Sequence, residues 1–431
     1  MSPLAWALII FAVLLLLGMP IVYVMCLSSL SYCLISGKTM LVMVVIEKMF
    51  RGMDSFVLLA IPMFILCGEI MNRGGITSYI VGFANLIVGR LKGGLAYVNT
   101  LASTFFAGIT GSALSDIASL GSILIPAMEE QGYTKDFSCA VTAATAIQGP
   151  LIPPSIPAVL VASATGLSTG ALFWGGAVPG VMIGLVAAIV IFVEGRFREF
   201  PKRTEKISRR DALKTIVNSI LPLMTVVIIL AGMSTGLFTP TEAAAVAMAY
   251  AFIITTVIYN PIPFKEMYKM CKNVLVQTCT IYMIIAGATT FSYVLAIENI
   301  PMKLSAFINA HAHSQLAVLL IINIILLIWG MFMDTSPSIL VLVPILYPVA
   351  TAAGVHPIHF GVIVIVNLMM GLLSPPFGMA LYTTQSVGKC SMAGLLKEVW
   401  IFIVADLAVL VLITLFPGLI LTLPRAIGLI K

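Results

Sequence analysis

The chain has 431 residues, of which 60% are hydrophobic and only 9% are charged, and its formal net charge is +6. A soluble domain carries roughly 25% charged residues because its surface must be wetted. The composition therefore excludes a soluble globular protein and predicts a surface that faces lipid, with room for about ten to twelve spans plus shorter broken elements.

The N-terminal part predicts scaffold helices and an arm along the membrane surface. Residues 4–17 form an apolar run with no basic residue before it, since the first is Lys38, so we expect a retained helix rather than a cleaved signal. Residues 38–51 place basic side chains on both sides of a short apolar run. This amphipathic pattern is typical of a helix that lies in the interface rather than one that spans.

Two helix breaks follow in the next apolar region. The run that begins at Gly94 stops at residues 110–113 and then resumes, and each limb is short for a full span. A re-entrant hairpin with its tip near the midplane fits this pattern better than two crossings. The second break is Pro153 followed by Pro154, which removes two backbone donors and frees the carbonyls of the preceding turn, around Gln148 and Gly149.

A basic segment lies between the two apolar halves of the chain. Eight of the 23 Lys and Arg residues fall within residues 196–214. Short basic loops remain in the cytoplasm. We therefore place this loop inside the cell.

The second half repeats the first at a constant offset of 222 residues, as from Pro126 to Pro348. The sequence ILIPAMEEQG at 123–132 matches ILYPVATAAG at 345–354, and GPLIPPS at 149–155 matches GLLSPPF at 371–377. Paired Gly and Pro-Pro positions in register indicate a duplication. With one basic loop between the copies, the sequence predicts inverted repeats, each with one re-entrant hairpin and one broken helix.

The helix breaks are where we expect cations and substrate to bind. Unsatisfied carbonyls in lipid cost several kcal/mol each, so they must line a cavity or bind something. Carbonyl and hydroxyl oxygens suit an alkali cation, and the N-termini of the second hairpin limbs point positive dipole ends toward an anionic substrate. A duplicated double break favours such a site over prolines that merely kink packed helices.

Five acidic residues lie within or beside apolar runs. Asp334 sits at a break beside hydroxyl groups, and Asp116 is comparable, so both are predicted to be functional. Glu69 and Asp406 lie outside the breaks and are interpreted as packing or scaffold contacts. Glu242 would lie in the first turn of a helix and is predicted to cap it.

Two pairs of histidines raise the alternative of a membrane metalloenzyme. They are His311 with His313 and His356 with His359. Each pair lies next to a helix-ending signal, and neither an H-E-x-x-H motif nor paired carboxylates accompany it. The sequence therefore favours a transporter without catalytic residues or an organic cofactor.

The combined motifs resemble the large membrane subunit of TRAP (tripartite ATP-independent periplasmic) transporters. They are Gly111-Ser112 with Gly121, IPAM at 125–128 with Gly132-Tyr133, GPLIPPS at 149–155 and GLFTPTEAAAV at 236–246. The resemblance implies an all-α, ion-transporter-like elevator fold in the bacterial inner membrane, driven by sodium. It also implies a small multi-span membrane subunit, a periplasmic substrate-binding protein and acidic solutes such as sialic acid, a C4-dicarboxylate or a sugar acid. A self-contained cation-coupled anion symporter remains the alternative.

Site residues are carried over position by position from this resemblance. The substrate-binding residues implied are Ser112, Ser115, Pro154, Ser155, Thr335, Ser336 and Pro376. About two sodium sites, formed through backbone carbonyls or side chains, are implied at Ser112, Asp116, Gln148, Gly149, Asp334, Thr335, Met370 and Gly371. The first tip reads GSALSD, with Ala113 and Leu114 where small polar residues or proline are expected, so the side-chain ligands there are left open.

The predicted division of the chain follows from these features. It comprises N-terminal scaffold helices with an interfacial arm (1–93), a first repeat core (94–195), a basic cytoplasmic loop (196–214), second-half scaffold helices (215–315), a second repeat core (316–390) and a C-terminal helix (391–431).

Overall fold

The computed structural model describes residues 2–202, 208–311 and 314–430, and every regular element within them is a helix. The first half contains α1 (Pro3–Leu16), α2 (Ile21–Ile35), α3 (Leu41–Met53), a 3₁₀ turn (Phe56–Leu59), α4 (Ala60–Arg73), α5 (Ile76–Val88), α6 (Gly94–Thr110), α7 (Ala113–Glu130), α8 (Lys135–Ala146), α9 (Ile156–Thr165) and α10 (Thr169–Phe197). The second half contains α11 (Arg209–Ser234), α12 (Pro240–Val257), α13 (Phe264–Ile297), α14 (Ile300–His311), α15 (Gln315–Gly330), α16 (Thr335–Ala352), α17 (Pro357–Leu373), α18 (Met379–Gly388), α19 (Met392–Leu415) and α20 (Gly418–Ala426).

Seven segments of the described chain are long and apolar enough to cross a membrane. They are Phe56–Arg73, Thr169–Phe197, Arg210–Ser234, Pro240–Val257, Phe264–Ile297, Thr335–Ala352 and Met392–Leu415. Six shorter apolar helices accompany them, namely α1, α2, α5, α9, α15 and α17. These segments are selected by length and composition, so the expected number of about ten to twelve spans stays a prediction.

The predicted duplication is visible in the helix bounds. Shifting α7 by 222 residues reproduces the bounds of α16, and the start of α8 falls on the start of α17. The same shift brings α6 to α15 and α9 to α18 within two residues at each start and end. The repeat therefore covers both hairpins and both broken helices.

The two halves exchange contacts across the repeat. Helix α7 of the first hairpin packs against α18, which follows the second break, and α16 of the second hairpin packs against α9, which follows the first break. The outer helices pair in the same reciprocal way, α4 with α12 and α13 with α2. The result is an all-α membrane fold of inverted repeats with two hairpins and two broken helices.

The arm predicted at residues 38–51 contains α3, a separate amphipathic helix. It buries Val45 and exposes Met43 and Phe50, and Lys48 Nζ lies 5.4 Å from the ring centre of Tyr293 on α13. In the second half, the single helix α13 runs through the positions of α3 and α4. Its 34 residues extend about 50 Å, more than the roughly 30 Å of hydrocarbon, so part of α13 must leave the bilayer core.

Two of the expected boundaries differ from the helix ends. The connection between the two halves is shorter than the predicted basic loop of residues 196–214, because α10 extends to Phe197 and α11 begins at Arg209. It comprises residues 198–208, of which 203–207 lie outside the described residues. The expected single C-terminal helix is two helices, α19 and α20. Pro417 lies between them and lacks the N–H that a continuous helix would need.

Candidate functional site

The first hairpin turns at Gly111. This residue has φ +61°, in the left-handed region that favours glycine, and ends α6. Ser112 then adopts an extended conformation as the N-cap of α7, and its hydroxyl accepts the backbone N–H of Ser115 at 3.5 Å. A β-carbon on Gly111 would lie 2.5 Å from the carbonyl oxygen of Pro154. The hairpin tip therefore rests directly on the first break.

Asp116 brings a carboxylate to the same junction. It lies in the first turn of α7, is fully buried and accepts a hydrogen bond from the Thr110 hydroxyl. Its second oxygen, Oδ2, has no hydrogen-bond partner among the described residues and faces Gly149, where an added β-carbon would lie 2.5 Å from it. The sequence did not identify Thr110, although its position directly before the Gly-Ser tip was a signal.

The first break is a connection of residues 147–155 with a cis bond between Pro153 and Pro154. Ser155 bridges this connection, because its hydroxyl donates to the Pro150 carbonyl and accepts the N–H of Ala158 at 3.1 Å. The predicted free carbonyl of Gln148 is instead occupied by the N–H groups of Leu151 at 3.0 Å and Ile152 at 3.1 Å. Gln148 thus closes the turn, while the carbonyl of Gly149 accepts none of the hydrogen bonds found among the described residues.

At the second junction a hairpin tip likewise meets a helix break, but different side chains lie there. The backbones of Gly330 and Gly371 touch, since a β-carbon on Gly371 would lie 2.5 Å from the carbonyl carbon of Gly330. Asp334 is the N-cap of α16, with the backbone N–H groups of Thr335 and Ser336 beside its carboxylate. Thr335 is buried, and its hydroxyl oxygen has no partner among the described residues.

Ser374, which the sequence did not single out, holds the carbonyls of the second break. Its hydroxyl donates to Met370 O at 2.8 Å, and its N–H donates to Gly371 O at 3.0 Å. A carbonyl oxygen has two lone pairs, so each predicted ligand retains one acceptor position. The second break also contains a cis bond, between Pro375 and Pro376.

The two breaks differ in exposure. Pro153, Pro154 and Ser155 are buried, whereas Pro376 is exposed and the exposed rings of Phe332 and Phe377 lie 5.7 Å apart, centre to centre. Phe332 belongs to the second tip and Phe377 to the second break, so the aromatic pair covers this junction. In the duplicated pattern, Phe377 stands where the first half has a serine.

A polar cavity of about 270 Å³ separates the first hairpin from the outer helices. It is lined by Asn72 and Thr77 from the α4–α5 region and by Ser119 and Ser122 of α7. Asn72 Nδ2 donates to Ser119 Oγ at 2.7 Å across this boundary, and Thr77 donates to Asn72 at 3.0 Å. These two hydrogen bonds join the first hairpin to α4 and α5 at this cleft.

Residues 8–419 match the family described as "Tripartite ATP-independent periplasmic transporter, DctM component". The chain is 38% identical over 408 residues to the sialic acid TRAP transporter large permease protein SiaM of Vibrio cholerae, covering 95% of each chain. It is 37% identical to the C4-dicarboxylate TRAP transporter large permease protein DctM of Pseudomonas aeruginosa, covering 88% of this chain and 89% of the relative. The chain belongs to the DctM family of TRAP transporters.

A solved structure supports the fold of this TRAP large permease. The crystal structure of the Alcanivorax borkumensis YdaH transporter superimposes with a TM-score of 0.62 over 89% of each chain at 14% identity. At that identity the likeness concerns the fold alone. Together with the apolar helices, family membership places this TRAP permease in the bacterial inner membrane as a multi-pass protein, as predicted.

The remaining motifs of the TRAP permease have structural positions. Thr239 and Glu242 form a reciprocal capping box at the start of α12, which confirms the predicted role of Glu242. Glu69 pairs with Arg73 along α4 at 3.6 Å. Asp406 is buried on α19, and its Oδ2 has no hydrogen bond among the described residues.

The histidines considered as metal ligands have other roles where they are described. His356 caps α17, accepting the N–H of Ile358 at 3.2 Å, and His359 Nε2 lies 2.8 Å from Ile413 O. His313 and the side chain of His311 lie outside the described residues. Within the described part of the chain, no three His, Cys, Asp or Glu side chains are grouped to hold a metal ion.

Proposed function

We propose that this chain is the translocating subunit of a sodium-coupled TRAP importer for an acidic organic solute, working by an elevator mechanism and catalysing no reaction. The observation that carries the proposal is the pair of equivalent junctions at which a hairpin tip with a carboxylate meets a broken helix. Because the chain belongs to this family, we expect its solute to be an organic acid.

The first junction supports sodium as the coupling ion. Asp116 offers an unused oxygen, and Gly149 offers a carbonyl in the same place, with Ser112 at the adjoining tip. A buried anion without a counter-charge is unfavourable in a low-dielectric interior, and a bound cation removes that penalty. Hard oxygen donors match an alkali cation, whereas no chain of titratable groups at this junction suggests a proton relay.

The second junction supports a second ion. Asp334, the unpartnered Thr335 hydroxyl and the remaining lone pairs of Met370 O and Gly371 O surround the Gly330–Gly371 contact. Because the two junctions are related by the repeat, an ion site in one predicts a corresponding site in the other.

The helix directions support an anionic solute. Four helices begin at the breaks, namely α7, α9, α16 and α18. A helix N-terminus carries partial positive charge, and its first N–H groups are free to donate. Ser112, Ser115 and the Thr335–Ser336 pair add hydroxyl donors beside these ends, while the Ser155 hydroxyl already donates to the Pro150 carbonyl. A carboxylate-bearing solute is therefore the class favoured for this region.

Proteoliposomes that contain the complete transporter would test this proposal. Uptake of labelled sialic acid and of a labelled C4-dicarboxylate is measured under an inward sodium gradient, a pH gradient alone, and neither. We expect uptake of one acid with sodium and none with a pH gradient alone. Equal uptake under a pH gradient without sodium would contradict sodium coupling, and uptake of neither acid under any gradient would contradict the solute class.

A further inference from the structure

Asp406 lies in the apolar middle of α19 without a counter-charge. Its side chain is 2% exposed, and the residues one turn away on either side, including Phe402, Ile403 and Leu410, are buried hydrophobics. Among the described residues it forms neither a hydrogen bond through Oδ2 nor an ion pair. An ionised carboxylate in such surroundings is strongly disfavoured unless it is paired or neutralised.

Among the described residues, none of the titratable groups on the helices packed against α19 forms a hydrogen bond or an ion pair with Asp406. Helix α15 carries none, and on α19 itself Lys397 and Glu398 lie near its start, with Glu398 2.8 Å from Arg198. The others are Lys135, Asp136 and Cys139 of α8, Glu194 and Arg196 of α10, His359 of α17, Tyr382 of α18 and Arg425 of α20.

Contacts with α19 locate two of these groups, Asp136 and His359. Asp136 lies against Gly394 in the first turn of α19, and His359 bonds to Ile413 near its end. Along α19, Asp406 is eight residues from Glu398 and seven from Ile413. At 1.5 Å per residue, these separations are about 12 Å and about 10 Å.

The duplication shows what Asp406 replaces. The offset of 222 residues relates Asp406 to Gly184 of α10, and Met370 to Gln148. In the first half, the Gln148 carboxamide fills the space beside Gly184, where an added β-carbon would lie 2.5 Å from Gln148 Oε1. That carboxamide accepts from Thr104 at 2.7 Å and donates to Thr145 O at 3.0 Å.

In the second half the polar side chain is Asp406, which lies on α19 rather than at the position equivalent to Gln148. Met370 and Leu326 stand at the positions of Gln148 and Thr104, and neither can supply a hydrogen bond comparable to those of the first half. Helix α19 packs against α17 as α10 packs against α8. The repeat therefore relates Asp406 on α19 to Gly184, the residue beside which the neutral carboxamide lies in the first half.

We infer that Asp406 is a proton-binding site, at which the carboxyl group carries a hydrogen ion and takes the place of the Gln148 carboxamide. A protonated carboxyl group both donates and accepts hydrogen bonds, as a carboxamide does, and carries no charge into the apolar layer. This site is separate from the two hairpin junctions, and the inference does not depend on which solute or ion drives transport.

Infrared difference spectroscopy of the purified full-length protein tests the assignment directly. The carboxylic C=O stretch is compared at neutral pH between wild type and Asp406→Asn, with Asp211→Asn, an exposed acid at the start of α11, as the matched control. We expect Asp406→Asn to lose a protonated-carboxyl band that Asp211→Asn keeps. The absence of any such difference would overturn proton binding.

The pH dependence of stability gives a second readout. If the native carboxyl group holds a proton that the unfolded chain has released, the free energy of unfolding falls as pH rises. The melting temperature of wild type should therefore fall relative to Asp406→Asn as pH rises above about 4, the ordinary pKa of an aspartate in an unfolded chain, while the two agree at more acid pH. An Asp406→Asn protein that melts several degrees lower at every pH would contradict the inference, because the negative charge would then be required.

Discussion

The carboxylate of Asp116 lies against the backbone of Gly149, so that a methyl group added to Gly149 would sit 2.5 Å from Oδ2 of Asp116. These residues are 33 positions apart and belong to different elements, the first hairpin and the first broken helix. Their contact therefore brings the buried acidic side chain of Asp116 against the first helix break. The transport proposal rests on this arrangement and on the second junction, where the carboxylate is supplied by Asp334 at the position that Ser112 holds in the first half.

Replacing either carboxylate should weaken the dependence of transport on sodium. We expect Asp116→Ala and Asp334→Ala to raise the sodium concentration needed for half-maximal uptake at least tenfold, since a tenfold change corresponds to about 1.4 kcal/mol of lost ion binding. The measurement is the initial uptake rate as a function of sodium concentration in proteoliposomes.

The control for this experiment is Glu266→Ala, which removes an exposed acid from the first turn of α13. Glu398 would be a poor control because it pairs with Arg198 at 2.8 Å. If Asp334→Ala and Glu266→Ala gave the same sodium dependence, Asp334 would have no part in an ion site.

Gly371→Ala should damage the second junction through its backbone. The new methyl group would meet the carbonyl carbon of Gly330 at 2.5 Å, where no flexible side chain can move aside. Overpacking of this kind costs on the order of 1–3 kcal/mol. We expect a lower melting temperature in detergent and slower uptake.

The matched variant is Gly418→Ala, at the first residue of α20, where the nearest atom to an added methyl group is 4.0 Å away. Alanine favours helix there, so stability should be unchanged or slightly higher. A Gly371→Ala protein as stable as Gly418→Ala would show that the second hairpin tip does not depend on this close approach.

Lys135 and His356 should lie on opposite sides of the membrane. They stand at the starts of α8 and α17, which the repeat relates to within one residue, and inverted repeats place equivalent ends on opposite faces. The test uses Lys135→Cys and His356→Cys with an impermeant maleimide on right-side-out and inside-out vesicles. The exposed Cys271 and Cys279 are first changed to serine in both. Labelling of both positions from the same side would contradict the inversion and leave the duplication intact.

This chain by itself should not transport. The family is defined as one component of a tripartite system, and the described connections between helices are too short to form a domain that captures dilute solute. A small multi-span membrane subunit would complete the scaffold, and a periplasmic substrate-binding protein would deliver the solute, with complementary charges guiding their contact. Reconstitution with each partner omitted in turn is the measurement. Sodium-driven uptake by the lone chain at the rate of the full system would identify it instead as a self-contained symporter.

The sequence by itself determined the class of protein and the plan of the fold. Low charge requires a lipid-facing surface, and Pro153-Pro154 with its counterpart Pro375-Pro376 requires a helix break, because these constraints act on the local chain. The constant offset then predicted two hairpins and two broken helices, and the helix bounds of α7 and α16 confirm that register.

Tertiary structure decided which polar groups are used and which remain available. Whether the Gln148 carbonyl is free depends on the turn formed by Leu151 and Ile152, and whether Asp406 has a partner depends on side chains from six other helices. Composition and spacing cannot specify such contacts, because a helix break can close its turn in more than one way and because the surroundings of a buried side chain are set only after the helices pack. The sequence therefore located the breaks, while packing placed Thr110, Gly149 and Ser374 around them.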